Sequence, residues 1–67
     1  MEISARNQLK ATVKAVRHGD LMAEVVLDIA GQEIVSIITR ASADHLRVKA
    51  GDEVVAIIKS TEVMLGK

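Results

Sequence analysis

Apolar and polar residues alternate along most of the chain with a period of two. Leu9, Ala11, Val13 and Ala15 interleave with Lys10, Thr12 and Lys14, which sends each set to one side of an extended segment. The alternation predicts a first strand over residues 6–17, and His18-Gly19-Asp20 supplies turn chemistry after it. A second strand over residues 21–29 carries Leu21, Ala23, Val25, Leu27 and Ile29 on one face. Ala30-Gly31-Gln32 then turns the chain into a third strand, residues 33–40, rich in β-branched side chains. The period changes at Ala41-Ser42-Ala43-Asp44-His45-Leu46, which reads as one or two helical turns with Ser42 as a candidate N-cap. Val48-Lys49-Ala50-Gly51-Asp52 is a loop into a fourth strand, residues 53–59, and Ser60 marks a bend before a short fifth strand, residues 61–65. The order predicts an all-β fold: an OB-like five-stranded β-barrel with one short helix between strands 3 and 4, a single domain over residues 1–67.

The second faces of these strands change the picture. Met22 and Val26 share the outer face of the second strand with Glu24 and Asp28, and Val35 and Ile37 lie opposite Ile34 and Ile38 in the third. The segment Val54-Val55-Ala56-Ile57-Ile58 is apolar on both faces. A lone small barrel hides one face only. Several Val or Ile side chains left in water would form a sticky patch, each worth roughly 1.5–3 kcal/mol when covered. Another copy of the same chain is the simplest cover. A bulge that exchanges the inward and outward sets is the competing explanation. Size points the same way as the faces. A chain of 67 residues has a marginal core, and the absence of cysteine removes disulfides as a staple.

Composition excludes several function classes. Nine basic residues balance nine acidic ones, so no strong field draws the chain to nucleic acid or to a membrane surface. No apolar run approaches a membrane span, and the opening Met1-Glu2-Ile3-Ser4 lacks an export pattern, which makes the cytoplasm the expected location. There is no Phe, Tyr or Trp, so bases, sugars and flat cofactors lack a stacking platform. His18 and His45 are too few and too scattered for a metal cluster. No nucleophile–base motif or glycine-rich phosphate loop occurs, and Asp44 and His45, adjacent on a helix, point in different directions. The chain is therefore expected to be no enzyme and to need no cofactor.

Chemistry for a tetrahedral anion is present in three places. Ser4-Ala5-Arg6-Asn7 presents a hydroxyl and a guanidinium at i and i+2. Thr39-Arg40-Ala41-Ser42 presents hydroxyls where a strand runs into a helix, whose first N–H groups lack intrahelical partners. Lys59-Ser60-Thr61 presents an ammonium and hydroxyls at a strand end. Arg6 and Lys59 together match a dianion in charge, and no carboxylate lies inside the three segments. Each segment alone also fits an ordinary role: a solvated strand start, a helix cap, an exposed turn.

The chain resembles the molbindin (Mop) family of small molybdate- and tungstate-binding domains. Ile3-Ser4-Ala5-Arg6-Asn7 is similar to that family's opening signature. Ala23-Glu24-Val25 after a glycine turn, Ile38-Thr39 followed by Ser42, and the stretch from Gly51-Asp52-Glu53 through Val54-Val55-Ala56-Ile57-Ile58-Lys59-Ser60 to Thr61-Glu62-Val63-Met64 fit the rest of its pattern. Ala11, where many members have glycine, and the turn Arg17-His18-Gly19-Asp20 depart from it. The resemblance implies an OB-like barrel, assembly as a hexamer built as a trimer of dimers, and storage or buffering of molybdate in the cytoplasm. It implies an oxyanion site made of Ser4, Arg6, Thr39, Ser42, Lys59 and Ser60, the same residues that the chemistry selects. It further implies a site at a dimer interface, which we expect to take Ser4 and Arg6 from one chain and Lys59 and Ser60 from its partner. The same domain occurs in the family fused to transcription regulators and transporter ATPases, whose DNA-binding and ATPase parts are not found in this sequence. The main alternative is an OB-type module for single-stranded nucleic acid, which the missing aromatics and the zero net charge oppose. A swapped-hairpin DNA-binding dimer would need a basic face, and a ligand-free assembly module would need the three segments to lie apart.

Overall fold

The computed structural model describes residues 2–67; Met1, which opens the N-terminus read above, lies outside them. Strands β1 (Asn7–His18), β2 (Met22–Ile29) and β3 (Gln32–Thr39) are followed by helix α1 (Arg40–Leu46) and strand β4 (Glu53–Ile58). A 3-10 turn, Ser60–Glu62, comes after β4. The strands form one antiparallel sheet in the order β3-β2-β1-β4. The long β1 holds it together. Its first half pairs with β4, from Asn7↔Ile58 to Thr12↔Glu53, and its second half with β2, from Thr12↔Asp28 to His18↔Ala23.

Local chemistry sets the connections. β2 and β3 are joined by Ala30 (φ 52°) and Gly31 (φ 86°), the positive-φ pair that suits a two-residue hairpin between twisted strands. A bulge at Lys14 breaks the register of β1 against β2 between Val13 and Ala15. Beyond it Val16 packs on the core, and Ala15 and Val16 are both half-buried. The inward set expected for the first strand thus holds for Ala11 and Val13, and after Lys14 it is Val16 that joins them. At the bulge the freed backbone of Val13 is taken up by the loop before β4. Its N–H donates to Asp52 O (2.9 Å), and its carbonyl accepts from Gly51 N (2.8 Å).

Ala11, Val13, Val25, Leu27 and Ala56 form the buried centre, with Val16, Ile29, Ile38, Val48 and Val54 packed around it. On the other side of the sheet, Val35 and Ile37 of β3 are each 56% exposed, and Val55 and Ile57 of β4 are exposed as well. The two-faced apolar strands read from the sequence are therefore present in the fold.

Two expectations need correction. No fifth strand forms among the described residues: the 3-10 turn breaks the extended run, and Val63, Met64 (89% exposed) and Leu65 (95%) lie unpaired at the surface. The barrel is consequently not closed within one chain. β3 and β4 stay as free edges beside an apolar cleft of about 410 Å³, lined by Ile34, Ile38, Val54 and Ile57 among others. The alternation of residues 61–65 describes a strand, but Thr61 and Glu62 are taken into the 3-10 turn, which leaves too short an extended run to form one.

Candidate functional site

The chemistry-bearing residues gather at two ends of the sheet. At the first end, Asn7↔Ile58 is the terminal pair of the β1–β4 ladder. Arg6 precedes Asn7 and Lys59 follows Ile58, so the two basic residues flank that pair, with Ser60 directly after Lys59 and Ser4 two residues before Arg6. All four are exposed. The Gln8 side-chain amide donates to Ala5 O (3.1 Å), which ties the incoming segment to the start of β1. Lys59 is extended (φ −63°, ψ 139°), and its carbonyl accepts from Glu62 N (2.9 Å) to open the 3-10 turn. Among the described residues neither Arg6 nor Lys59 forms an ion pair. This end offers two positive charges and two hydroxyls to an anion.

At the second end, β3 runs directly into α1. Thr39, rather than the expected Ser42, is the N-cap: its Oγ1 accepts from Ser42 N (3.0 Å). The Thr39 hydroxyl in turn donates to Ser42 Oγ (2.8 Å). Each hydroxyl oxygen is thereby held in place, and the Ser42 hydroxyl proton is left to donate outward. Arg40 N donates to Leu21 O (2.8 Å), its Nη1 donates to Gly19 O (3.1 Å), and its Nε meets Asp44 Oδ1 (3.2 Å). Asp44 is thus engaged by Arg40 rather than by His45. The i,i+4 spacing of Arg40 and Asp44 is visible in the sequence. The contact of Arg40 with Gly19 is not, because it joins residues 21 positions apart.

The two ends do not meet within one chain. Thr39 pairs with Met22, beside the His18↔Ala23 pair, whereas Arg6 and Lys59 lie beyond Asn7↔Ile58. The length of β1, Asn7 to His18, separates them, at roughly 3.3 Å per residue. The register therefore places Arg6 beside Lys59, with Ser4 and Ser60 in the flanking segments, and the cap joins Thr39 to Ser42, but the first group is not joined to the second. It removes the reason for assigning Arg6 and Lys59 to different chains: they are neighbours at one ladder end.

Other polar features are less suited to an anion. A shallow cleft of about 400 Å³ beside Lys10 and Thr12 also carries Asp28 and Glu53, whose charges oppose one. The Lys49 backbone N–H and then its ammonium hold the Asp52 carboxyl below the usual carboxylate range. On the outer face, the hydrogen bond and charge of Glu33 raise the Lys14 ammonium, and Lys14 lowers the Glu33 carboxyl in return.

Comparison with known proteins places the fold. Residues 3–65 match the TOBE domain family. The chain is 56% identical over 66 residues to molybdenum-pterin-binding protein 3 of Clostridium pasteurianum, with 97% of each chain covered. A solved structure described as a molybdate binding protein from Sporomusa ovata superposes with a TM-score of 0.95 at 45% identity, over 100% of both chains. The molybdate-bound structure of ModG, described as a cytoplasmic molybdate-binding protein, superposes with a TM-score of 0.85 at 43% identity. That match covers 90% of this chain and 43% of the other. With a family match over nearly its whole length, the chain belongs to the TOBE domain family, in its molbindin branch.

Proposed function

We propose that this protein binds molybdate, or the nearly isosteric tungstate, as a tetrahedral dianion at a site shared between two copies of the chain. One copy gives Ser4, Arg6, Lys59 and Ser60, and the other gives Thr39 and Ser42. The observation that carries this reading is the separation of the two donor groups at opposite ends of β1. The charged end matches the dianion, and the hydroxyl end adds neutral donors without a further unpaired cation, since Arg40 is met by Asp44. The names of the relatives supply molybdenum as the element. The lack of any aromatic side chain favours the bare oxyanion over a pterin, whose flat ring would find no face to stack on.

The protein acts by holding its ligand rather than transforming it, and its role is storage and buffering of molybdate in the cytoplasm. The likeness to ModG, a cytoplasmic molybdate-binding protein, supports that location. Among the described residues no helix is long and apolar enough to cross a membrane. The exposed Val35, Ile37, Val55 and Ile57, the unpaired residues 63–65 and the open cleft between β3 and β4 support a homo-oligomer. A hexamer built as a trimer of dimers is the assembly that the family resemblance implies. Binding of single-stranded nucleic acid is not expected.

The test is calorimetry with molybdate, tungstate, sulfate and phosphate, joined to a mixing experiment. Molybdate and tungstate bind tightly, and sulfate weakly, because a smaller anion leaves fixed donors beyond good hydrogen-bond distance. Equal affinity for sulfate would overturn the ligand class. Arg6→Ala and Thr39→Ala chains, each weakened alone, regain tight sites when unfolded and refolded together, because one site of a mixed pair keeps both intact halves. Arg6→Ala mixed with Lys59→Ala regains none, since both residues belong to the same half. Recovery in the second mixture and not the first would reject this division of the site.

A further inference from the structure

We propose that Arg40 is a positioning residue for the oxyanion site: it fixes the Thr39 and Ser42 hydroxyls and thereby sets the preference for a large tetrahedral anion over a small one. The inference rests on the shared-site reading above and assigns Arg40 no contact with the ligand.

A closed circuit of contacts ends on Thr39. Thr39 pairs with Met22 in the β2–β3 ladder. Met22 O accepts from Gly19 N at 2.8 Å. Gly19 O accepts from the Arg40 guanidinium at 3.1 Å, and Arg40 is the residue next to Thr39. The Arg40 backbone N–H donates to Leu21 O at 2.8 Å, inside the same circuit. One residue thus joins the β1–β2 turn, the end of β3 and the first turn of α1. The turn itself has little slack, since a Cβ added at Gly19 would lie 3.0 Å from Met22 O. Asp44 completes the arrangement by accepting from Arg40 Nε at 3.2 Å, which orients the guanidinium and balances its charge. That balance separates Arg40 from Arg6 and Lys59: its role is geometric, not electrostatic. A planar guanidinium serves two acceptors in fixed directions, which an ammonium does not reproduce.

Discrimination by size needs donors that do not follow the ligand. Hydroxyls held at a fixed spacing fit the larger anion and stay too far from sulfate. Hydroxyls released from the circuit would adapt to either. An exposed ion pair at i,i+4 contributes little to stability, so loss of the clamp changes selectivity far more than folding.

The experiment titrates the full chain and its Arg40→Lys, Arg40→Gln and Asp44→Asn variants with molybdate and with sulfate, alongside denaturant unfolding. Residues that orient ligand-holding groups typically govern about ten- to hundredfold of affinity. Arg40→Lys and Arg40→Gln are therefore both expected to weaken molybdate binding by about tenfold or more, with a smaller loss for sulfate and an unfolding midpoint close to that of the parent protein. Asp44→Asn keeps an acceptor for Nε and changes the molybdate-to-sulfate ratio less than either Arg40 variant. Should Arg40→Lys bind like the parent while Arg40→Gln does not, the residue acts through charge and the inference falls. Parental selectivity in both variants would overturn it as well. Thr39→Ala serves as the control for the underlying site: unchanged molybdate affinity in that variant overturns the shared-site reading, and this inference with it.

Discussion

The two ends of β1 solve opposite halves of one problem. At the Asn7 end, Arg6 and Lys59 supply charge but stand exposed, without ion-pair partners among the described residues. At the His18 end, Thr39 and Ser42 are held by a cap, a hydroxyl–hydroxyl bond and the Arg40 contacts, yet the cation next to them, Arg40, is met by Asp44. One end has charge without rigidity, and the other has rigidity without unpaired charge. A dianion that must be both attracted and measured needs the two together. Under the proposed shared site, their separation along β1 is what a second copy of the chain would bridge.

The strongest way to sharpen this contrast is at the charged end. Arg6→Ala and Lys59→Ala should each cost about 1.5–3 kcal/mol of molybdate binding, the range for a hydrogen bond to a charged group. Neither should shift the denaturant midpoint appreciably, since both are exposed and neither has an ion-pair partner among the described residues. Calorimetry and urea unfolding on the same samples check both statements. A large stability loss in either variant would show that the charged end is structural after all.

At the rigid end the two effects should travel together. Thr39→Ala removes the hydroxyl that holds Ser42 Oγ in place and is the N-cap of α1. It should weaken binding and also destabilise the fold by roughly 0.5–2 kcal/mol, the usual cost of a lost cap. Thr39→Ser retains the hydroxyl and should recover most of the stability. A Thr39→Ala protein with parental stability would place the cap elsewhere and break the contrast.

A smaller change of the opposite sign is expected at the far end of the same helix. Arg47 caps α1 in the left-handed region (φ 53°), where glycine carries no Cβ penalty. Arg47→Gly should stabilise the protein by about 0.5–1 kcal/mol and leave molybdate affinity unchanged. Loss of binding would bring Arg47 into the site.

The smallest effect concerns pH and lies away from both ends. The Asp52 carboxyl is held below its ordinary range by the Lys49 backbone N–H and then by the Lys49 side chain. A carboxyl whose folded pKa is depressed adds stability above its unfolded pKa and loses it as pH falls toward the folded value. Asp52→Asn should therefore lower stability slightly at neutral pH and flatten the decline in acid. Urea midpoints across the acid range read this directly, and the lack of any change in slope would remove Asp52 from the account.

Much of this architecture is legible in the order of residues. The alternation of Ala23, Val25 and Leu27 marks the buried face of β2 because a strand must hide one side, and these three are buried. The outer apolar residues Val35, Ile37, Val55 and Ile57 announce a second face to be covered, and the fold presents them. Ser4, Arg6, Thr39, Ser42, Lys59 and Ser60 stand out by their chemistry. Local residue type thus determined the strands, the helix, the apolar faces and the donor segments, since those depend on periodicity and on functional groups a few positions apart. What lay beyond it arises from contacts between distant parts of the chain. The bulge at Lys14, beyond which Val16 packs on the core, depends on how β1 divides its pairing between β2 and β4. Residues 61–65 have the pattern of a strand, but Thr61 and Glu62 enter the 3-10 turn and Val63 to Leu65 pair with no strand. The grouping of Arg6 with Lys59, and the clamp of Arg40 on Gly19, exist only once β1 lies against β4 and β3 runs beside the β1–β2 turn. Side-chain chemistry is written locally. Which chemistries share a place is decided by register and topology.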